Sequence, residues 1–175
     1  MKLNLGCGAL IIPGFVNVDI APGKGVDMVA DLDTLWPWPD ESVDTIFALD
    51  IYEHVDKPLL FVNEMWRVME PGGIVRLRTT FWKTEQSYTD PTHKRWLTDK
   101  SFDYWIPGTE WHARYGNAYS GGRHFSFHEN GVWEDGMELE WRLRKEGRCE
   151  GACNGSTGKL WFRGIEGHRI ESAHD

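Results

Sequence analysis

The sequence predicts an α/β fold with a doubly wound, mostly parallel sheet and a late antiparallel strand. Three observations carry the prediction. A short apolar run, Leu3–Leu5, ends in Gly6-Cys7-Gly8. A second run, Phe15–Ile20, places the acid Asp19 near its end. Later, Val43–Leu49, a helical pattern after Asp56, and Ile74–Thr80 read as strand, helix and strand. When neighbouring parallel strands end in a glycine turn and a carboxylate, they make a crevice. The glycines let backbone approach a ligand closely, and the acid accepts hydrogen bonds from ribose hydroxyls.

Each element follows from local pattern. Between the first two strands, Ala9-Leu-Ile-Ile-Pro-Gly14 is too short for a full crossover helix. Val26–Ala30 reads as a short third strand, and Trp36-Pro-Trp-Pro39 as a rigid loop. Val43–Leu49 is apolar enough to be buried on both faces. Asp56 is placed to cap the helix, with Pro58 in its first turn. Leu59, Val62, Trp66 and Met69 recur at helical spacing until Pro71-Gly-Gly73 stops them. Residues 81–124 are polar, aromatic and irregular, with one short helix expected near Asp99–Tyr104, and read as a lid or substrate insertion. Phe125–His128 and Met137–Arg144 read as late strands. In the second, Met137, Leu139, Trp141 and Leu143 alternate with charge. A domain over 1–146 and a glycine-rich tail over 147–175 complete the division.

Composition narrows the class. The 175 residues suffice for one domain with a substantial core. No apolar run approaches the roughly 20 residues of a membrane helix, and no leader pattern opens the chain, so the expected location is cytoplasmic. A net charge of -8 argues against a large phosphate-binding face. Three cysteines make no disulfide framework.

The ordered segments Leu3-Asn-Leu-Gly-Cys-Gly8, Val16-Asn-Val-Asp19, Ala30-Asp-Leu32, Val43-Asp-Thr-Ile-Phe47 running on to Glu53-His54, and Glu70-Pro-Gly-Gly73 resemble the motifs of class I S-adenosylmethionine-dependent methyltransferases. The resemblance covers roughly residues 1–105. It implies a Rossmann-like sheet and S-adenosylmethionine as cofactor. By position, Gly6, Cys7 and Gly8 would pass under its methionine part, Asp19 would bind the ribose, and Asp31 with the Leu32 amide would read the adenine. Leu49 and Asp50 would reach the methionine moiety and the mouth of the substrate pocket. The chain departs from the family in its trimmed first crossover and in beginning on the first strand, so the cofactor would be less covered.

Methyl transfer needs an aligned, desolvated nucleophile and a base where that nucleophile carries a proton. Asp90-Pro-Thr-His93 follows the fifth strand, which puts it above the switch point. His93 is the candidate general base, with Asp90 its orienter or a second acid. The same residues also suit a turn followed by a helix cap. Tyr52, His54, Trp82 and Arg95 are candidate substrate contacts, and the Trp82, Trp96, Trp105 and Trp111 set is a stacking platform or the packed underside of a lid. Cys7 reads as a small filler. No metal is expected: Cys149, Cys153, His168 and His174 lie in a stretch read as a disordered or weakly docked tail, and no helix fixes the spacing of His112, His124 and His128.

The function expected is methyl transfer to an oxygen or nitrogen of a small molecule or glycan. The rivals are a nucleic-acid or nucleotide methyltransferase, a non-catalytic cofactor-binding module of a larger assembly, and an aminopropyl transferase, disfavoured because the 81–124 lid carries no paired acids of the expected kind. Partners expected are the acceptor and, through the N-terminal edge, another subunit, but no membrane.

Overall fold

The computed structural model describes residues 1–98, 100–120, 124–133 and 136–144, with side chains given for 1–98 and 100–115. Strands β1 (Lys2–Leu5), β2 (Val16–Asp19), β3 (Met28–Val29) and β4 (Val43–Leu49) precede helix α1 (Pro58–Val68) and strand β5 (Met69–Thr79). Helices α2 (Gln86–Thr89) and α3 (Glu110–Ser120) follow, with a 3-10 turn at Asp103–Trp105 between them. Strands β6 (His124–Trp133) and β7 (Gly136–Arg144) end the described chain. The strands form one sheet in the order β3-β2-β1-β4-β5-β7-β6. The first five are parallel: β1 lies between β2 and β4, and β4 pairs with β5. β7 runs antiparallel to both β5 and β6. Direction of winding reverses beside β1, so the carboxyl ends of β1 and β4 flank the switch point, where such sheets bind ligands.

The trimmed first crossover is held by a chain of buried amides. Asn4 Nδ2 donates to Leu10 O at 2.7 Å and to Asn17 Oδ1 at 3.0 Å. Asn17 Oδ1 also accepts from the Ile12 amide at 2.8 Å, and Asn17 Nδ2 donates to Asp27 at 2.9 Å. Asn4 and Asn17 are 1% and 4% exposed. A loop without a helix must satisfy its backbone groups through side chains, and these two asparagines do so.

Helix α1 presents Phe61, Val62, Met65 and Val68 to a core that includes Leu3, Leu5, Val18, Ile46, Val75 and Leu77. The expected face was rotated from this one: Leu59 is exposed and Trp66 only half-buried. Asp56 does not cap the helix. Its N-cap is Lys57, which makes no side-chain cap bond, and the carboxylate of Asp33 accepts the Asp56 and Lys57 amides at 2.9 and 2.7 Å. Asp56 instead pairs with Lys94 at 2.6 Å. At the far end, the Glu41 and Ser42 amides bind the carbonyls of Arg67 and Val68, so the helix stops on the loop before β4.

Pro71-Gly-Gly73 lies within β5 rather than before it. The register with β4 shifts between Val43 and Thr45, and a Cβ at Gly73 would come within 2.7 Å of Met69 Cε and 3.0 Å of Asp44 O. The chain bulges here, and at Gly73 there is little room for a side chain. In the insertion, the expected helix near Asp99–Tyr104 is a single 3-10 turn, and α3 occupies residues expected to be irregular.

Candidate active site

The glycine turn leaves β1 with Gly6 and Gly8 both at positive φ, +62° and +49°. The two positions differ physically. A Cβ at Gly6 would lie 2.6 Å from Ile51, whereas one at Gly8 would meet nothing within 4 Å. Gly6 is therefore a packing requirement, and Gly8 faces open space beside the strand ends. Asp19, at the end of β2, accepts the Gly8 amide at 2.8 Å through Oδ2 and the Ala21 amide at 3.2 Å through Oδ1. A carboxylate has about four acceptor positions, so each oxygen keeps one for a ligand hydroxyl. An acid held at this place beside an open cradle fits a ribose-bearing cofactor. Cys7 is buried, and burial followed by the nearby Asp19 charge pushes its thiol pKa up, which suits a filler.

Asp31 follows β3 and is exposed; its Oδ1 accepts the Asp33 amide at 2.9 Å. Leu32 is buried, and its carbonyl accepts Trp36 Nε1 at 3.2 Å. Leu49 ends β4, half-buried. Asp50 follows at φ +54°, a conformation uncommon outside glycine, and its carboxylate is gripped by the Arg78 guanidinium, with Nε 3.0 and 2.9 Å from the two oxygens. Backbone held this way at a strand end commonly marks a functional site.

Beyond Asp50, the turn 51–56 is stapled to the segment 90–95. Thr92 Oγ lies 2.9 Å from His54 Nδ1, and the Lys94 amide donates to Glu53 O at 2.9 Å. Arg95 donates to the carbonyls of Tyr52 and Val55 at 2.5 Å each. Glu53 is fully buried and accepts from Thr79 Oγ at 2.9 Å and the Thr80 amide at 3.2 Å. The rings of His54 and His93 meet edge to face, centroids 4.8 Å apart, and His93 Nδ1 lies 3.2 Å from Ser87 O.

This geometry corrects three expectations. Asp90 does not orient His93 with its carboxylate; Oδ1 accepts the Thr92 hydroxyl at 2.6 Å and amide at 2.8 Å, and those two bonds hold its carboxyl below the usual range. Asp90 thus acts on His54, through Thr92. The expected turn is present, with the His93 amide on Asp90 O at 3.2 Å, but among the described residues no helix begins at Thr92 or His93, the next helical element being the 3-10 turn at Asp103–Trp105. Tyr52 and Arg95 are spent on the fold. The Tyr52 ring is buried between Phe61 and Phe102 under the Arg95 guanidinium, and burial drives its phenol pKa well up.

Trp82 is 40% exposed, with Lys83 Nζ 5.2 Å from its ring. Trp105 is core, while Trp96 stacks on Tyr88 and Trp111 on Tyr115, so the tryptophans form no single platform. Cys149, Cys153, His168 and His174 lie outside the described residues, as do the side chains of His124 and His128. Sequence reading missed the Asn4–Asn17–Asp27 network, the Arg78 grip on Asp50, and the convergence of Glu53 with the two imidazoles.

Comparison with known proteins agrees with this layout. Residues 13–77 match the family described as Methyltransferase domain. An uncharacterized methyltransferase of Mycobacterium leprae is 44% identical over 46 residues, 26% of this chain and 17% of its own length. One from Mycolicibacterium vanbaalenii is 41% identical over 49 residues, 28% of this chain and 19% of its own. The match thus spans less than a fifth of these relatives. Among solved structures, S-adenosylmethionine-dependent methyltransferases of Thermotoga maritima and Archaeoglobus fulgidus superpose with TM-scores of 0.54, at 16% and 15% identity. They cover 82% and 81% of this chain, and 82% and 85% of their own. The fold is one shared with solved S-adenosylmethionine-dependent methyltransferases, and residues 13–77 are similar to the methyltransferase domain.

Among the described residues, no helix is long and apolar enough to cross a membrane.

Proposed function

We propose that this chain transfers a methyl group from S-adenosylmethionine to an oxygen or nitrogen of a small molecule or glycan. The observation that carries the reading is the pairing of the open cradle at Gly8 with Asp19 at the neighbouring strand end. Gly6 and Gly8 shape the floor, Asp19 binds the ribose hydroxyls, Asp31 and Leu32 take the adenine side, and Leu49 and Asp50 line the approach to the reacting end. Bound there, the cofactor supplies a sulfonium-activated methyl.

On the acceptor side, His93 is the base. Ser87 O can only accept, so His93 Nδ1 carries the ring proton and Nε2 keeps the lone pair that takes the proton of the nucleophile. Arg95 and Asp90 are positioning residues: one fixes the 51–56 turn, the other sets Thr92 and through it His54. Calorimetry with S-adenosylhomocysteine, followed by methyl uptake from labelled S-adenosylmethionine into sugars, nucleotides, phenols and amines, tests the proposal. No binding of S-adenosylhomocysteine overturns it. Binding without uptake into any acceptor, alone or with cell extract, favours a non-catalytic module.

A further inference from the structure

Glu53, His54 and His93 converge from two segments about forty residues apart in sequence. One donor atom from each lies within 4.8 Å of the others. Two hydrogen bonds prepare both imidazoles as ligands. Ser87 O fixes the proton of His93 on Nδ1, as above. Thr92 spends its hydroxyl proton on Asp90 at 2.6 Å, so the Thr92 oxygen accepts from His54 Nδ1 at 2.9 Å. Both rings therefore keep the lone pair on Nε2. A metal-binding histidine is prepared in this way, its other nitrogen donating to a carbonyl or to a carboxylate-linked group.

The third member is a carboxylate with 0% exposure. Its hydrogen bonds among the described residues come from neutral donors, Thr79 and Thr80, which leave about half of its acceptor positions open. Beside it, Thr80 Oγ is a buried hydroxyl without a hydrogen-bond partner among the described residues. A buried carboxylate, a hydroxyl oxygen without a partner among the described residues and two imidazole lone pairs make a donor set suited to a cation.

We propose that Glu53, His54 and His93 bind a divalent transition-metal cation. Two nitrogens and one oxygen suit zinc, cobalt or iron, whereas magnesium and calcium prefer oxygen alone. Ligands about 2.0–2.2 Å from a metal stand closer together than 4.8 Å, so binding draws the 90–95 segment onto the turn. A cation there takes the lone pair that His93 offers a proton. Metal-bound and base-competent forms then exclude each other, which makes the site a control point. That consequence rests on the methyltransferase reading; the binding does not.

The test is cobalt titration of the chelator-treated full chain, without S-adenosylmethionine, followed by visible absorption and calorimetry. One equivalent should bind with d–d bands, zinc should displace it, and millimolar magnesium should not. His54→Ala and His93→Ala should each weaken binding at least tenfold while retaining the wild-type circular dichroism spectrum; because both rings are only half-buried, these variants are chosen over Glu53→Gln. No binding up to millimolar cobalt overturns the proposal. So does binding unchanged in both histidine variants, or lost instead in Cys149→Ser/Cys153→Ser. Loss of S-adenosylhomocysteine affinity with cobalt binding intact would count against the methyltransferase reading alone.

Discussion

Replacing Asp19 by alanine tests the cofactor site most directly. In the structure its carboxylate takes the Gly8 amide at 2.8 Å and the Ala21 amide at 3.2 Å, with room for the two hydroxyls of a ribose. The variant loses the bonds from those hydroxyls to a charged acceptor, which together are worth about 1.5–3 kcal/mol. At 1.4 kcal/mol per factor of ten, the dissociation constant for S-adenosylhomocysteine should rise roughly 10- to 150-fold. The Gly8 tether is lost as well, so the glycine loop is less ordered before binding, which pushes the effect toward the upper end. Asp19→Asn retains one carbonyl oxygen and should fall between wild type and alanine. The assay is calorimetry, with melting temperature as control, since Asp19 touches only an exposed turn. An unchanged dissociation constant in a folded Asp19→Ala would refute the ribose assignment and move the cofactor elsewhere.

Gly6→Ala should fail to fold or melt far lower, because its Cβ would sit 2.6 Å from Ile51, whereas Gly8→Ala should fold and lose cofactor affinity; equal melting of the two would overturn that contrast. Arg95→Ala should leave S-adenosylhomocysteine affinity within about twofold but lower the turnover of any acceptor found, because it frees the carbonyls of Tyr52 and Val55. Glu64→Ala leaves the Trp36 amide unsatisfied and breaks the ion pair with Arg67, costing about 2–3 kcal/mol by urea unfolding, less than a fully buried pair because Arg67 stays partly in water. Asp27 is held below the usual carboxylate range by the backbone and side-chain amides of Asn17; a lowered folded pKa adds stability above the ordinary range and loses it as the pH falls through the folded value. Asp27→Ala should therefore melt below wild type at pH 7, with the gap closing in acid; a constant gap from pH 7 to 2 would remove the linkage.

The parallel half of the sheet was legible because its signals are local. Val43–Leu49 matches the observed strand, and Asp19 ends β2 as its position in the run implied. What was illegible depends on tertiary partners. The turn leading into α1 is held by Asp33, more than twenty residues away, while Asp56, the better placed in sequence, is drawn off by Lys94. Pro-Gly-Gly reads as a break in any local scheme, yet β4 supplies a ladder that carries the chain through it as a bulge. At the site, Glu53-His54 and His93 each carried a signal, but nothing in their spacing states that the two segments touch. Arg95 looked like a substrate contact because a cation among aromatics suits both jobs, and only burial of the Tyr52 ring decides between them.

Two separate devices hold the strand ends of the sheet. Beside the glycine loop, Asn4, Asn17 and Asp27 hold a crossover of barely ten residues against β1 and β2. Beside the imidazole pair, the Asp90–Arg95 strap holds the turn after β4. The hydrogen bonds of Asp19 and of His93 share no atom, so the glycine loop and the imidazole pair are set independently. Variants in the two halves should then add in free energy to within about 0.5 kcal/mol, as distant sites without common partners do. An Asp19→Ala/Arg95→Ala double variant measures this, with S-adenosylhomocysteine affinity reporting one half and acceptor turnover at saturating cofactor the other. A larger coupling would mean that the strap also shapes the cofactor cradle, through Ile51, which packs on Gly6 and begins the stapled turn.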